Sequence, residues 1–367
     1  MKSVHVLAHK LCLPVLTLLL FLATGCDLLG NEDEEIVTSG VYVTNQGVFG
    51  SGSGSITIFD PVTGATSTPE TFRGHGAIYQ SAEFFGGRLY ATANNGDRVH
   101  VYDIGTNTLI DSIRVRLPRY MALINPGKMY VTSQTFYYGS PSFVTIVDPR
   151  TLEAIDTVEV GGNAEQIALV GDRAYVTTGA FDITKSVVVI DTKTDRVVQT
   201  VDLECDAPRY VQADSDGDVF VVCTGTTLYD ENFNPVGRTN GAIVVLDGKT
   251  GTVTDRIDVD AQLGTGGVGQ DAYYASEVSE LYVIKEGNRV LRIDTKTNRL
   301  VAEIGPISGG DLGAVAYDGL RDHLYLSHIP SYADPGTVTL HDRNGAQVGQ
   351  FTAGVAPVYI TFRREGR

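Results

Sequence analysis

A unit of about 40 to 50 residues recurs along nearly the whole chain, and a period of that length points to an array of small β units rather than one continuous core. Each copy carries an aromatic residue within a β-branched run, at Tyr42, Tyr90, Tyr130, Tyr175, Phe220, Tyr282 and Tyr325. Each also ends a later run on an aspartate, at Asp60, Asp103, Asp148, Asp191, Asp247, Asp294 and Asp342. Six of these aspartates open a D-x-x-T turn, through Thr63, Thr106, Thr151, Thr194, Thr250 and Thr297, whereas the last reads Asp342-Arg343-Asn344-Gly345. Asp and Thr side chains bond nearby backbone groups, so the motif makes a tight turn without outside help. The clearest copy, residues 171–201, reads as an aromatic-centred strand, a loop, an alternating strand over 186–190, and a further strand after the turn.

Four short strands per unit and seven units predict an all-β fold, a seven-bladed β-propeller with four-stranded blades. The first unit opens directly at Val41 without an inner strand, and the chain ends on a surplus strand over 357–362. The C-terminal strand is therefore expected to complete blade one, closing the ring and removing an open sheet edge. Few windows follow a period of 3.6, so little helix is expected. The formal net charge of -16 excludes a basic nucleic-acid footprint.

Ahead of the repeat, Lys2, His9 and Lys10 precede an apolar run over 11–23 that has the form of a signal-peptide core. The run Leu22-Ala23-Thr24-Gly25-Cys26 resembles a bacterial lipobox, which implies cleavage after residue 25 and lipidation of Cys26. Residues 26–40 read as an acidic flexible tether, and 41–367 as the propeller. An acidic run just after the lipidated cysteine resembles the surface-export signal of some Gram-negative lipoproteins. It implies an outer-membrane lipoprotein exposed at the cell surface, attached through its acyl chains alone.

Tyr42-Val43-Thr44-Asn45, with the related Tyr130-Val131-Thr132 and Tyr175-Val176-Thr177, resembles the YVTN/YncE-like propeller family. Asn45-Gln46-Gly47-Val48-Phe49-Gly50 and the inner-strand starts Pro118-Arg119-Tyr120, Pro208-Arg209-Tyr210 and Ala164-Glu165-Gln166 are similar to one lipoprotein branch of it. That branch includes surface lipoproteins that bind cobalamin and sit over a TonB-dependent outer-membrane transporter. The resemblance implies a role in vitamin uptake, with cobalamin as bound ligand, the transporter as partner and no intrinsic cofactor.

The loops between second and third strands are long and varied: NQGVFGSGSG (45–54), SQTFYYGSPS (133–142), TGAFDITK (178–185), HIPSYADPG (328–336) and the longest, 224–241. The opposite turns are short, such as FGGR, NPGK and VGDR. One face therefore gathers Phe49, Phe136, Tyr137, Tyr138, Phe181, Tyr229, Phe233 and Tyr332, either as a binding rim or folded back as local core. Aligning the inner-strand starts gives a ring of Tyr79, Arg119, Glu165, Arg209, Gln270, Gly313 and Val358, followed by Gln80, Tyr120, Gln166, Tyr210, Asp271, Ala314 and Tyr359. One of each pair is expected to face the central funnel, as ligand contacts or as inter-blade ion pairs. Candidate ligand-binding residues also include Asn45, Gln46, Asn94 and Asn95 as amide partners, and His75 and His328 on the rim.

Other chemistry is sparse. No metal spacing, nucleophile elbow or phosphate loop occurs, so no catalytic residue is expected. Asp214 to Asp218 lacks the distal Glu of an EF-hand and sits where a hairpin turn is required, so no calcium is expected there. Cys205 and Cys223 flank that turn, as a disulfide or as two buried thiols. The resulting expectation is a non-enzymatic cobalamin binder. A glycan- or peptide-binding adhesive propeller is the alternative, and a lactonase or quinoprotein-type enzyme a third.

Overall fold

A computed structural model describes residues 36–73, 75–135, 140–179, 184–265 and 269–366. Cys26 and the leader lie outside these residues, as do Phe136, Tyr137, Tyr138 and Phe181. Val37–Glu365 forms one compact unit. Within it lie seven four-stranded antiparallel sheets, and the only helical elements among the described residues are two short 3-10 turns. Blade 1 is ordered from its outer to its inner strand as Thr66–Ser67, Ser55–Phe59, Ile36–Asn45 and Pro357–Gly366, so the C-terminal strand closes the ring. Its second strand starts at Ile36, ahead of Val41. The extension has a physical cause, because Thr38 is buried and donates to Asp318 of blade 7 at 2.9 Å.

Blades 2 to 7 have inner strands Tyr79–Phe85, Pro118–Asn125, Ile167–Val170, Pro208–Ala213, Ala272–Ala275 and Asp311–Asp318. Each then runs outward through three more strands. Ser186–Asp191, read as alternating, is instead buried along its whole centre. It lies between two neighbouring blades, and a strand covered on both faces needs a continuous apolar run such as Val187-Val188-Val189-Ile190. Outer strands such as Glu153–Glu159 are mostly exposed.

Apolar packing follows the ring. Seven clusters each join two adjacent blades: Tyr42 to Tyr79, Val99 to Met121, Val144 to Val176, Tyr175 to Val211, Tyr210 to Leu281, Tyr282 to Leu326, and Tyr325 to Val43. No blade has a core of its own, so each is stable only between neighbours.

The repeated aromatic and hydroxyl residues act as clamps on the next blade. Tyr175 donates to Gly248 O at 2.9 Å, Tyr90 reaches Pro149 O at 3.4 Å, and Tyr130 bonds Asp195, each in the turn of the following blade. The hydroxyl two residues further on binds the following inner strand: Thr92 to Arg119 O at 3.1 Å, Thr132 to Glu165 O at 2.6 Å, Thr177 to Arg209 O at 2.8 Å, and Ser327 to Pro357 O at 2.7 Å. Thr44 of the YVTN sequence is an exception, a buried hydroxyl without a partner. The D-x-x-T turns form as expected; in Asp191, for example, one carboxylate oxygen accepts from Lys193 N, Thr194 N and Thr194 Oγ1. Those bonds hold the Asp60, Asp103, Asp191 and Asp247 carboxyls below the ordinary range.

Candidate functional site

The inner strands begin on the face that carries the long loops, and there their regular pairing breaks. Register shifts fall between Tyr79 and Ala82, Pro118 and Met121, Pro208 and Tyr210, and Leu312 and Ala314. A bulge suspends strict alternation and re-aims side chains. Both members of the pairs Arg119-Tyr120 and Arg209-Tyr210 are buried there.

Arg119 forms a two-point ion pair with Glu165, with Nε to Oε2 at 2.9 Å, and also bonds Gln80. Gln134 Nε2 donates to Glu165 Oε2 at 3.1 Å. The pair is 2% and 0% exposed, so its desolvation is offset by hydrogen bonds from within the protein. Arg209 is buried alongside, in the field of Glu165, Asp271, Tyr120 and Tyr210. Asp271 accepts from Tyr210 Oη at 2.7 Å and from Thr265 N at 3.0 Å. Burial raises its pKa, against the opposing pull of Tyr210 and Arg209.

The axis itself is bridged. Tyr120 Oη donates to Gly269 O at 3.2 Å, Gln270 N to Val358 O at 2.8 Å, and Ile360 N to Gln270 Oε1 at 2.9 Å. Gly269 is required by space, since a Cβ there would meet Gly313 O at 1.8 Å. Tyr359 stands 6.0 Å from the Tyr120 ring and bonds Glu83 deeper along the axis. Glu83, Tyr273, Glu277 and Arg364 line a cavity of 230 Å³ on the short-turn side. Burial pushes the Glu83 carboxyl up to about 7, although Tyr359 and Thr361 act against it.

Several expected contacts occupy structural positions. Asn45 is buried, donates to Thr57 Oγ1 at 3.0 Å and accepts from Gly354 N at 2.9 Å, fastening the ring closure. Tyr79 points into the interface with blade 1, its hydroxyl 2.8 Å from that of Tyr102. Gln46 and Asn94 are buried; Asn94 Nδ2 holds Pro118 O at 3.1 Å, and Asn95 caps Ile78 N at 2.6 Å. His328, placed on the rim by sequence, belongs to the second strand His323–Ile329 and is 1% exposed, its Nε2 2.7 Å from Thr339 Oγ1. The strand simply runs further than the loop reading allowed. His75 is exposed, with its ring 5.0 Å from that of His100, whose two nitrogens are buried and unpartnered. Burial, then His75 and Arg98, lower the His100 pKa to about 4.

The open part of the loop face is its rim. Phe49 is 72% exposed, Tyr332 52%, Tyr229 59% and Phe233 85%. The last two belong to an inserted hairpin, Thr227–Tyr229 paired with Pro235–Arg238, inside the 224–241 loop. Near its base Cys205 and Cys223 form a disulfide with Cα atoms 6.0 Å apart. Residues that sequence reasoning passed over include Gln134, which completes the axial network, and Glu83. For Gln134 the signal was its place directly after a second strand; Glu83, mid-strand, offered none. Among the described residues no group of three or more His, Cys, Asp or Glu is arranged to hold a metal ion.

The architecture is shared with a solved structure titled Kuenenia stuttgartiensis Hydrazine Synthase, at 17% identity and a TM-score of 0.64, covering 87% of this chain and 99% of that one. At that identity the likeness concerns the fold alone. No curated protein matches the sequence. Residues 39–235, just over half the chain, match the family described as "Domain of unknown function (DUF5074)", and the chain belongs to that family.

Proposed function

We propose that this propeller is a non-enzymatic surface lipoprotein, anchored through Cys26, that captures cobalamin on its loop face and delivers it to a TonB-dependent outer-membrane transporter. The observation that carries the reading is the one-sided placement of Phe49, Tyr229, Phe233 and Tyr332. These large aromatic side chains are left in solvent on the face whose loops are long, while the other face carries short turns. Exposed aromatic surface gathered on one side marks a recognition surface. Cobalamin is broad and edged with amides, which suits flat apolar groups around a polar centre. Its identity as the ligand rests on the resemblance of the opening Asn45 to Gly50 motif and the inner-strand starts.

Titrating cobalamin into the purified protein, followed by calorimetry and by the visible absorbance of the corrin, tests this. Expected is 1:1 binding that weakens about tenfold or more in Phe49→Ala combined with Tyr332→Ala, in the range of aromatic hot spots. Absence of binding at micromolar protein removes cobalamin as the ligand.

A further inference from the structure

Away from the axis, the loop face holds a trough of 270 Å³ where blades 5, 6 and 7 meet, lined by Gln262, Thr265, Lys285, Glu286, Asn288 and Asp311 among others. A second cleft of 140 Å³ shares Thr265 and Asp311 with it and is walled by Tyr332. Three glycines of the trough's lining, Gly225, Gly264 and Gly287, have positive φ, and Gly287 is exposed.

The side chains divide into fixed and available groups. Asn288 is fixed, donating to Gly310 O at 3.1 Å and accepting from Leu312 N at 3.3 Å. Lys285 is held by Glu303 at 2.9 Å, which cancels its charge locally. Glu286 receives both arms of Arg238 at 2.9 and 3.1 Å, tying the aromatic hairpin to the trough wall. Asp311 is exposed, and no hydrogen bond or ion pair among the described residues engages its carboxylate. Gln262 spends only its Nε2, at 3.4 Å from Thr239 O, which leaves its amide oxygen to the trough.

Each feature narrows the ligand. A free carboxylate repels anions and accepts two donors at once, the arrangement a pair of neighbouring hydroxyls satisfies. The neutralised lysine offers an acidic ligand no compensating charge. Tyr332 supplies a flat face for the C–H side of a ring. The volume lies just under the roughly 300 Å³ at which drug-sized sites begin, so a sugar ring fits and a corrin does not.

We propose that this trough, together with the adjoining cleft, is a second binding site, for a neutral saccharide, gripped by Asp311 and Gln262 against Tyr332. It is separate from the aromatic rim as a whole and shares only Tyr332 with it. A cell-surface capture protein would then hold a glycan in one place and a vitamin in another.

The test is calorimetric titration of the whole protein with a panel of neutral gluco-, manno-, galacto- and xylo-oligosaccharides. At least one is expected to bind, and Asp311→Ala and Gln262→Ala are each expected to weaken it, the first by about tenfold as for loss of a charged hydrogen bond. Both side chains lie in loops or at a strand start, so the thermal midpoint checks that folding is intact. Cobalamin titrated into Asp311→Ala should behave as in the parent protein, which separates this site from the rim. The proposal is overturned if no oligosaccharide binds at millimolar concentration, if both variants bind as the parent does, or if choline or spermidine binds in place of every sugar.

Discussion

The axis and the rim of the loop face are built from similar residue types, yet they are opposite in state. At the axis, Arg119, Glu165, Arg209, Asp271, Tyr120 and Tyr210 are buried and engaged with one another. On the rim, Phe49, Tyr229, Phe233 and Tyr332 face solvent. Polar residues converging in a propeller funnel invite a ligand reading, but a charged group that has already found its partners has little left to offer. The difference teaches that convergence marks a pocket only where donors and acceptors remain unspent. Here the axis is a polar keystone, and the proposed recognition surface is the loops.

The comparison breaks most completely if the ring opens. Ending the chain after Phe351 removes the strand Pro357–Gly366 and the residues leading into it, and with them a partner each of Asn45, Gln270 and Ser327. Cooperative unfolding should disappear, with loss of the sharp thermal transition in circular dichroism; a transition unchanged from the parent would show that the closure is dispensable. The next largest effect should come from Arg119→Ala, which strands the buried Glu165 carboxylate. Removing one partner of a buried pair costs about 3–5 kcal/mol. Phe49→Ala should by contrast stay within about 0.5 kcal/mol, as exposed substitutions do. Urea unfolding of the two variants side by side measures the contrast, and equal losses would erase the distinction between keystone and rim.

Much of the keystone was legible as a pattern, though its meaning was not. The aromatic and aspartate series fixed seven blades because each unit repeats the same solution to the same packing problem: the aspartates hold the turns, and Tyr90, Tyr130 and Tyr175 clamp neighbouring blades. The aligned ring starting at Arg119, Glu165 and Arg209 was also visible. Whether it was a site or a set of ion pairs depended on distances across the axis between residues far apart in sequence, such as Tyr120 and Gly269. Strict alternation along the strands misled at the bulges and in Ser186–Asp191, because blade-on-blade burial covers both faces. The trough escaped notice since Gln262, Lys285 and Asp311 come from a loop, a strand end and a strand start far apart in sequence.

A smaller effect sharpens the keystone further. Thr132 Oγ1 donates to Glu165 O at 2.6 Å and accepts from Tyr120 N at 3.0 Å, so it ties blade 3 to blade 4 beside the ion pair. Blades 5 and 6 carry Val222 and Ile284 at the equivalent place and dispense with the clamp. Thr132→Val keeps the shape and leaves buried backbone groups unpaired, a loss of about 1–3 kcal/mol. The urea midpoint should fall with little change in slope; no shift would mean that the clamp is a consequence of packing and not a support for it.

The smallest expected effect lies at the far end of the axis and appears only as a pH dependence. Glu83 faces the cavity bounded by Tyr273, Tyr359, Glu277 and Arg364, and its carboxyl is raised from 4.5 to about 7, first by burial. A carboxyl that holds its proton more tightly when folded contributes stability that is full below the unfolded value of 4.5 and is lost as the pH climbs to about 7. Above that pH the contribution is gone and the dependence flattens. Glu83→Gln removes the titration while keeping the size and one acceptor for Tyr359. The parent should therefore lose stability relative to Glu83→Gln between about pH 4.5 and 7, read as diverging urea midpoints. Parallel curves for the two proteins across that window would place the Glu83 carboxyl in water instead of in the keystone's low-dielectric surroundings, and would move the lower boundary of the buried axis up to Tyr359.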